Sequence, residues 1–144
     1  MNHHDQPHIV PSLQRATHAV ALWLDASLRH LNLSQAEAHV LAALADMSPC
    51  SINDLHRGFG HKRSTLTSLL DRLERRGLVR RGAHPTSRRL VLVALTDAGR
   101  PVATEVAEAL RQLETRIAMR VSAEDVAAFL RALQAITVAA DETT

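Results

Sequence analysis

Aromatic residues, cysteines and long apolar runs are scarce in this chain of 144 residues. Aromatic side chains make up only 2% of the sequence, as Trp23, Phe59 and Phe129, which disfavours the stacking platforms that bind single-stranded nucleic acids. The single cysteine, Cys50, excludes an internal disulfide. The sequence has no signal peptide and no apolar run long enough to span a bilayer, so we expect a cytoplasmic protein without a membrane partner.

Glycine and proline are also few, with five of each, and alanine and leucine are abundant, so helices should dominate. The sequence contains no nucleophile motif, no glycine-rich phosphate loop and no paired metal-ligand spacing. We therefore expect neither an enzyme nor a cofactor. His3, His4 and His8 allow a metal-binding tail, but residues 1–8 are better explained as a flexible polar end.

Positive charge is concentrated in one stretch, Lys62–Arg89. This stretch holds nine of the seventeen basic residues and two of the fifteen acidic ones, so it carries +7 while the rest of the chain carries −5. A dense cationic segment on a mildly acidic body indicates a polyanion such as nucleic acid as the partner.

The first half of this stretch has the periodicity of an amphipathic helix. Leucines recur at helical spacing and predict one buried face, while Gly77 can end the helix in the left-handed conformation. The opposite face begins with one guanidinium and several short hydroxyls, which can reach phosphates and base edges in a major groove. The buried positions are Leu66, Leu69, Leu70 and Leu73; the opposite face begins with Arg63, Ser64, Thr65, Thr67 and Ser68, directly after Lys62.

Two shorter helices are predicted just before the basic helix. A capping box from Ser34 to Glu37 begins one, which runs to about Met47. Ser51 can cap the other, and Gly60 permits a tight turn into the basic helix. A short helix, a glycine-containing turn and a longer helix with a polar outer face are typical of a helix-turn-helix.

A basic hairpin is predicted directly after the basic helix. Leu78–Arg81 and Arg88–Leu95 have the composition of strands, and turn formers separate them. Such a two-stranded hairpin next to a recognition-type helix is a wing, whose arginines can enter a neighbouring minor groove. Its cationic residues, expected near the tip, are Arg80, Arg81, Arg88 and Arg89.

Amphipathic helices flank the winged unit on both sides. One is predicted from about Pro11 to Leu31, one from about Asp97 to Met119 with an irregularity at Pro101, and one after Ser122. A second copy of the chain would cover their apolar stripes and present two basic helices to successive major grooves. We therefore expect a homodimer, with the chain divided into residues 1–8 (tail), 9–33 (dimerisation helix), 34–96 (DNA-binding unit) and 97–144 (dimerisation helices).

Three segments of the chain closely resemble the multiple antibiotic resistance regulator (MarR) family. They are LSQAEAHVLAAL, STLTSLLDRLERRGLVRR and HPTSRRLVLVALTDAGR, between about Leu33 and Gly99. The resemblance implies a mainly α winged helix-turn-helix homodimer that binds a pseudo-palindromic operator in double-stranded DNA. Such proteins usually repress, and many release DNA when a small, often aromatic or phenolic, effector binds. It also implies major-groove contacts by Ser64, Thr65, Thr67 and Arg72, and a minor-groove contact by Arg89.

The sequence departs from the family pattern at a few of these positions. Ser87 stands where an aspartate commonly pairs with the wing arginine, and Ser68 stands where arginine is common. Lys62 replaces a frequent capping serine, and His61 replaces an aliphatic residue. These differences imply that the operator differs accordingly.

Three alternative roles remain open at the level of sequence. Cys50 precedes a predicted helix and allows a redox-sensing regulator, provided that its thiol is exposed and acidic. His18 and Trp23 on the first helix are candidates to line an effector pocket, although Trp23 is also a plain packing residue. Lastly, a winged helix can serve as a protein-interaction module, which the segregated charge argues against.

Overall fold

The chain forms six α-helices and a three-stranded antiparallel sheet across residues 8–59 and 62–141, the part that this computed structural model describes. This confirms the predicted mainly α winged helix-turn-helix. The helices are α1 (Ile9–Leu28), α2 (Gln35–Met47), α3 (Ile52–Phe59), α4 (Arg63–Arg75), α5 (Gly99–Ala118) and α6 (Ala123–Asp141), and the strands are β1 (Cys50–Ser51), β2 (Val79–Ala83) and β3 (Val91–Leu95).

Side-chain caps begin α2 and α3 where the sequence predicted them. At α2, the Ser34 hydroxyl accepts from the Glu37 amide at 3.1 Å, and the Glu37 carboxylate accepts from the Ser34 amide at 3.1 Å. At α3, the Ser51 hydroxyl accepts from the Asp54 amide at 3.1 Å. Each cap satisfies amide groups that the first helical turn leaves without partners, typically at about 1 kcal/mol per cap.

The hydrophobic core lies between α2, α3, α4 and the sheet. The four leucines of α4 are at most 2% exposed, which confirms the predicted inner face of that helix. Burying a leucine stabilises a fold by roughly 1.5–3 kcal/mol, so these four fix the rotation of α4 about its axis. Its hydroxyls and cations must then point outward. The fully buried side chains around them include Leu41, Leu44, Leu55, Val79 and Val93.

The junction after α4 depends on two glycines. Gly77 adopts a φ of 72°, the predicted left-handed stop. Gly99, at the start of α5, approaches the backbone so closely that a Cβ there would lie 1.8 Å from the carbonyl oxygen of Leu78. Between them the Thr96 hydroxyl donates to the Gly77 carbonyl at 2.5 Å and accepts from the Gly99 amide at 3.0 Å.

The predicted two-stranded hairpin of the wing is present as β2 and β3, and the sheet gains a third strand, β1, that the sequence did not indicate. In the order β1-β3-β2, β3 pairs on one edge with β2 and on the other with β1, where Cys50 lies opposite Val93. β1 has only two residues, too short to show the alternation that marks a strand in sequence. The second strand of the hairpin, predicted from Arg88, begins only at Val91, because Arg88 and Arg89 lie in the turn.

The irregularity expected at Pro101 does not occur. α5 begins at Gly99, so Pro101 falls in its first turn, where the missing N–H has no helical partner to lose. α1 ends slightly earlier than predicted, because residues 29–31 form a 3-10 turn that closes on Asn32 in the left-handed conformation.

The chain divides into two compact units, Met1–Ala109 and Leu110–Thr144. In the first unit, Leu24 and Leu28 of α1 are buried, and His30 contacts Glu105 of α5 through Nε2. In the second, Ser122 caps α6, as predicted, by accepting from the Asp125 amide at 3.0 Å. No residue of α6 is buried in the single chain.

Several positions of the sequence analysis lie outside the described residues. They are His3 and His4 of the tail, Gly60 of the turn and His61. Within residues 8–59 and 62–141, no helix is long and apolar enough to cross a membrane.

Candidate nucleic-acid interface

The outer face of α4 exposes a row of short hydroxyls, as predicted. Ser64, Thr65, Thr67 and Ser68 are all exposed. Thr67 donates its hydroxyl hydrogen to the Arg63 carbonyl at 2.9 Å, and Ser68 donates to the Ser64 carbonyl at 3.0 Å. Because those hydrogens are used within the helix, both oxygens are oriented to accept hydrogen bonds from outside.

The N-terminus of α4 is strongly positive. Lys62 and Arg63 are exposed there, and Lys62, the N-cap residue, makes no side-chain hydrogen bond to the first amides of the helix. A helix N-terminus carries a partial positive charge and free N–H groups, which attract phosphate. This end of α4 therefore suits a contact with a nucleic-acid backbone beside the row of hydroxyls.

Arg72 lies further along α4 and is half-exposed. Its Nε donates to Oε1 of Glu37 at 2.9 Å, and Arg76 places Nη1 at 3.7 Å from the other carboxylate oxygen. Burial acts to raise the pKa of Glu37, but the Arg72 hydrogen bond, the Ser34 amide and the two positive charges lower it overall. Arg72 thus bridges α2 and α4 as well as facing outward.

Arg81 differs most from its predicted placement. It lies on β2 opposite Val93, away from the tip of the wing, and it pairs with Asp71 and Glu74 of α4 at 2.5 and 2.6 Å. The hydrogen bonds with Arg81 lower the pKa of Glu74, and those with the two carboxylates raise the pKa of Arg81. The side chain is only 26% exposed, and its positive charge is neutralised by these two carboxylates.

The turn of the wing, between β2 and β3, carries two exposed arginines, Arg88 and Arg89. The Arg89 amide donates to the Ser87 hydroxyl at 3.3 Å, and the Thr86 amide donates to Nδ1 of His84 at 3.2 Å. Short side-chain contacts to the backbone therefore order this turn in place of the ion pair that Ser87 cannot make.

The basic stretch separates into paired and unpaired cations. Arg72, Arg76 and Arg81 form ion pairs with acidic side chains. In the described part of the chain, no acidic side chain pairs with the other six basic residues of the stretch, which are Lys62, Arg63, Arg75, Arg80, Arg88 and Arg89. The unpaired cations lie at the start of α4, at Arg75 near its end, on β2 and in the wing turn, and each keeps a positive charge that attracts phosphate.

The candidate effector residues do not line the small cavity between α1 and α2. His18 is exposed and Trp23 is half-buried on α1. The cavity has a volume of about 50 Å³. Its lining is formed by Ala21, Leu24, Asp25, Leu28, Leu33, Ser34, Gln35 and Ala38.

Cys50 has the opposite of the environment that a redox sensor needs. Its side chain is 8% exposed in β1, and burial together with the nearby charge of Asp54 raises the pKa of its thiol. A reactive cysteine is exposed and has a lowered pKa. Nor do the described residues contain a group of histidine, cysteine and carboxylate side chains placed to hold a metal ion.

Sequence reasoning missed that Glu37, a buried residue of α2, pairs with Arg72 on the outer face of α4. Its position in the capping box was visible, but its ion pairs with Arg72 and Arg76 span more than thirty residues and have no local signal. The ion pairs of Arg81 with Asp71 and Glu74 were missed for the same reason.

Residues 31–90 match the model of the MarR family. The curated relative YwhA of Bacillus subtilis, an uncharacterized HTH-type transcriptional regulator, is 28% identical over 102 residues, which cover 71% of this chain and 72% of YwhA.

Several solved structures are similar along almost the whole chain, and two of them illustrate the likeness. Staphylococcus aureus MepR in its DNA-binding conformation is 18% identical, with a TM-score of 0.80 over 92% of this chain and 98% of MepR. Bordetella bronchiseptica BpsR, whose DNA binding is regulated by 6-hydroxynicotinic acid, is 24% identical, with a TM-score of 0.75 over 95% of this chain and 98% of BpsR. At these identities the likeness concerns the fold. The match to the MarR family therefore covers residues 31–90, and the chain as a whole shares the winged helix-turn-helix fold of these structures.

Proposed function

We propose that the chain is a homodimeric repressor that binds a pseudo-palindromic operator in double-stranded DNA. In this proposal α4 of each protomer enters a major groove, and the turn of each wing reaches the adjacent minor groove. The observation that carries it is the exposed row of hydroxyls on α4, bordered by cations that no acidic side chain neutralises in the described residues.

The direct contacts divide by chemistry. The hydroxyls of Ser64, Thr65, Thr67 and Ser68 contact base edges or nearby phosphates, whereas the cations anchor the protein to the backbone and the minor groove. Arg81 is left out of this set, because its guanidinium pairs with two carboxylates. The proposed cationic contacts are Lys62, Arg63, Arg72, Arg80, Arg88 and Arg89.

The homodimer is supported by apolar side chains that the single chain leaves exposed. On α6, Phe129 is 55% and Leu130 is 58% exposed, and on α1 Leu22 is 58% exposed. Apolar stripes of this kind on helices next to a DNA-binding unit favour a protein–protein contact. A twofold dimer also brings two copies of α4 to major grooves about 34 Å apart.

Release by a small effector is supported by the relative BpsR and by the family resemblance. The 50 Å³ cavity between α1 and α2 is far smaller than the roughly 300–1,000 Å³ of a typical ligand pocket, so the effector site is not this cavity alone. The burial of Cys50 and the raised pKa of its thiol argue against the redox-sensing alternative. As a regulator of genes, the protein would act on DNA in the cytoplasm.

The proposal is tested by selection from a pool of duplexes with a random core, followed by affinity measurements against salt. We expect an inverted repeat with half-sites about one helical turn apart. With three to four phosphate contacts per protomer, log affinity should fall against log salt with a slope of roughly −5 to −7. A flat salt response and no selected sequence would overturn the proposal and favour a protein-docking module.

A further inference from the structure

Glu37 is a buried acid whose two oxygens serve different parts of the DNA-binding unit. Its side chain is 8% exposed. Oε2 accepts from the Ser34 amide and completes the cap of α2, while Oε1 accepts from Nε of Arg72 on α4 at 2.9 Å. The carboxylate therefore connects the start of one helix to an outward-facing side chain of another.

This hydrogen bond restricts the orientation of the Arg72 guanidinium. A guanidinium carries five N–H groups in one plane, and the bond to Glu37 uses the one on Nε. The remaining four belong to Nη1 and Nη2, at the far edge of the group. The side chain of Arg72 is 46% exposed, and it shares an i, i+3, i+7 row of α4 with Thr65 and Ser68.

We infer that Glu37 is a positioning residue that holds Arg72 so that its terminal nitrogens read a guanine in the major groove. The inference rests on the proposed function, because it assigns one base contact of the proposed operator complex. Two parallel N–H donors match the O6 and N7 acceptors of guanine, which is the commonest specific contact of arginine. An unrestrained arginine side chain loses conformational entropy when it binds DNA. The bond to Glu37 already restricts the Arg72 side chain in the free protein, so less entropy is lost on binding.

Arg76 provides the comparison inside the same cluster. It approaches Glu37 at 3.7 Å, but its guanidinium donates to the carbonyls of Leu31 and Asn32 at 2.8 Å each. Both of its terminal nitrogens are thus used within the protein. Arg76 therefore holds parts of the protein together, whereas Arg72 bonds Glu37 through Nε alone and leaves Nη1 and Nη2 available to DNA.

The test uses the full chain, a consensus duplex selected from the random pool, and a scrambled duplex of the same composition. In Glu37→Gln, glutamine can still complete the capping box but loses the charge that holds Arg72. We expect the ratio of affinities for consensus over scrambled duplex to fall about tenfold, with the loss at one G·C pair per half-site. Affinity for the scrambled duplex should change by less than about twofold, because the number of phosphate contacts is unchanged.

Two further variants separate positioning from a purely structural role. Arg72→Lys keeps a charge without the planar pair of donors, so it should lose preference at the same G·C pair, and combining it with Glu37→Gln should add little. Arg76→Lys should lower the melting temperature without changing base preference.

The inference is overturned if Glu37→Gln lowers the melting temperature while the affinity ratio and the selected sequence stay as in the wild type. It is equally overturned if Arg72→Lys leaves the selected sequence unchanged. If the wild type itself selects no sequence, the proposed function fails with it. If the wild type selects an operator and Glu37→Gln has the same base preference as the wild type, only this inference fails and the proposed function stands.

Discussion

Arg81 on β2 donates from Nη2 to Oε2 of Glu74 on α4 at 2.6 Å, and this contact ties the wing to the helix beside it. The Arg81 amide also donates to Oε1 of the same carboxylate at 3.2 Å, so Glu74 holds both the backbone and the side chain. An arginine predicted to bind DNA thus fixes the base of the wing, while its neighbour Arg80 stays exposed.

Arg81→Gln should lower the melting temperature near neutral pH, with Arg80→Gln as the matched control that does not. The bond with Arg81 lowers the pKa of Glu74 below its ordinary 4.5, so the contact stabilises the fold above that pH and is lost as pH falls through the lowered pKa. The difference in melting temperature between wild type and Arg81→Gln should therefore shrink below pH 4.5. A difference that is constant with pH, measured by circular dichroism, would argue against this contact as its source.

Arg89→Ala should weaken binding to duplex DNA and reduce the steepness of its salt dependence. If each wing arginine neutralises one phosphate, a dimer that lacks both loses about 2 from the magnitude of the log–log slope. Fluorescence anisotropy over a series of KCl concentrations measures this. Arg15→Ala, an exposed cation on α1, is the control and should leave the slope unchanged. The same slope in both variants would show that the wing turn does not contact phosphate.

Thr67→Val should relax base preference at one position of the operator, at a cost of about 1 kcal/mol for the specific duplex. The hydroxyl donates to the Arg63 carbonyl, so it is oriented to accept from the amino group of adenine or cytosine. Thr104→Val on α5 is the control, because Thr104 makes the same bond to the carbonyl four residues earlier. Equal losses on specific and scrambled duplexes would mean that Thr67 reads no base.

Leu130→Glu should convert the proposed homodimer to a folded monomer. The side chain is 58% exposed in the single chain, so a charge harms the fold little there but is costly if a partner buries it. Sedimentation velocity measures the oligomeric state, and circular dichroism confirms folding. Met47→Glu, an exposed apolar position at the end of α2, should remain dimeric. A Leu130→Glu chain that stays dimeric would place the interface elsewhere.

Gly99→Ala should destabilise the fold, whereas Gly58→Ala should stabilise it. An alanine Cβ at position 99 would lie 1.8 Å from the Leu78 carbonyl oxygen, so the backbone must shift, typically at about 1–3 kcal/mol. At Gly58, inside α3, a Cβ meets nothing within 4 Å, and alanine is favoured over glycine in a helix by roughly 0.5–1 kcal/mol. Urea unfolding of the two variants measures both, and a neutral Gly99→Ala would contradict the tight junction.

Local patterns in the sequence determined most of the elements and the inner face of the basic helix. The capping box at Ser34, the stop at Gly77 and the leucine spacing of α4 each act within a few residues, and the structure confirms all three. Such features depend only on helix geometry and on backbone hydrogen bonds between residues that are close in sequence.

Only the tertiary structure decided which cations remain available to DNA. Arg81 resembles the other arginines of the basic stretch in sequence, but folding brings it against Glu74 of another element. Arg72 is likewise brought against Glu37, yet its side chain stays 46% exposed. The third strand, Cys50–Ser51, likewise exists only because β3 offers its second edge more than forty residues later. An ion pair or a strand pairing depends on distances across the fold, and no periodicity within one segment encodes them.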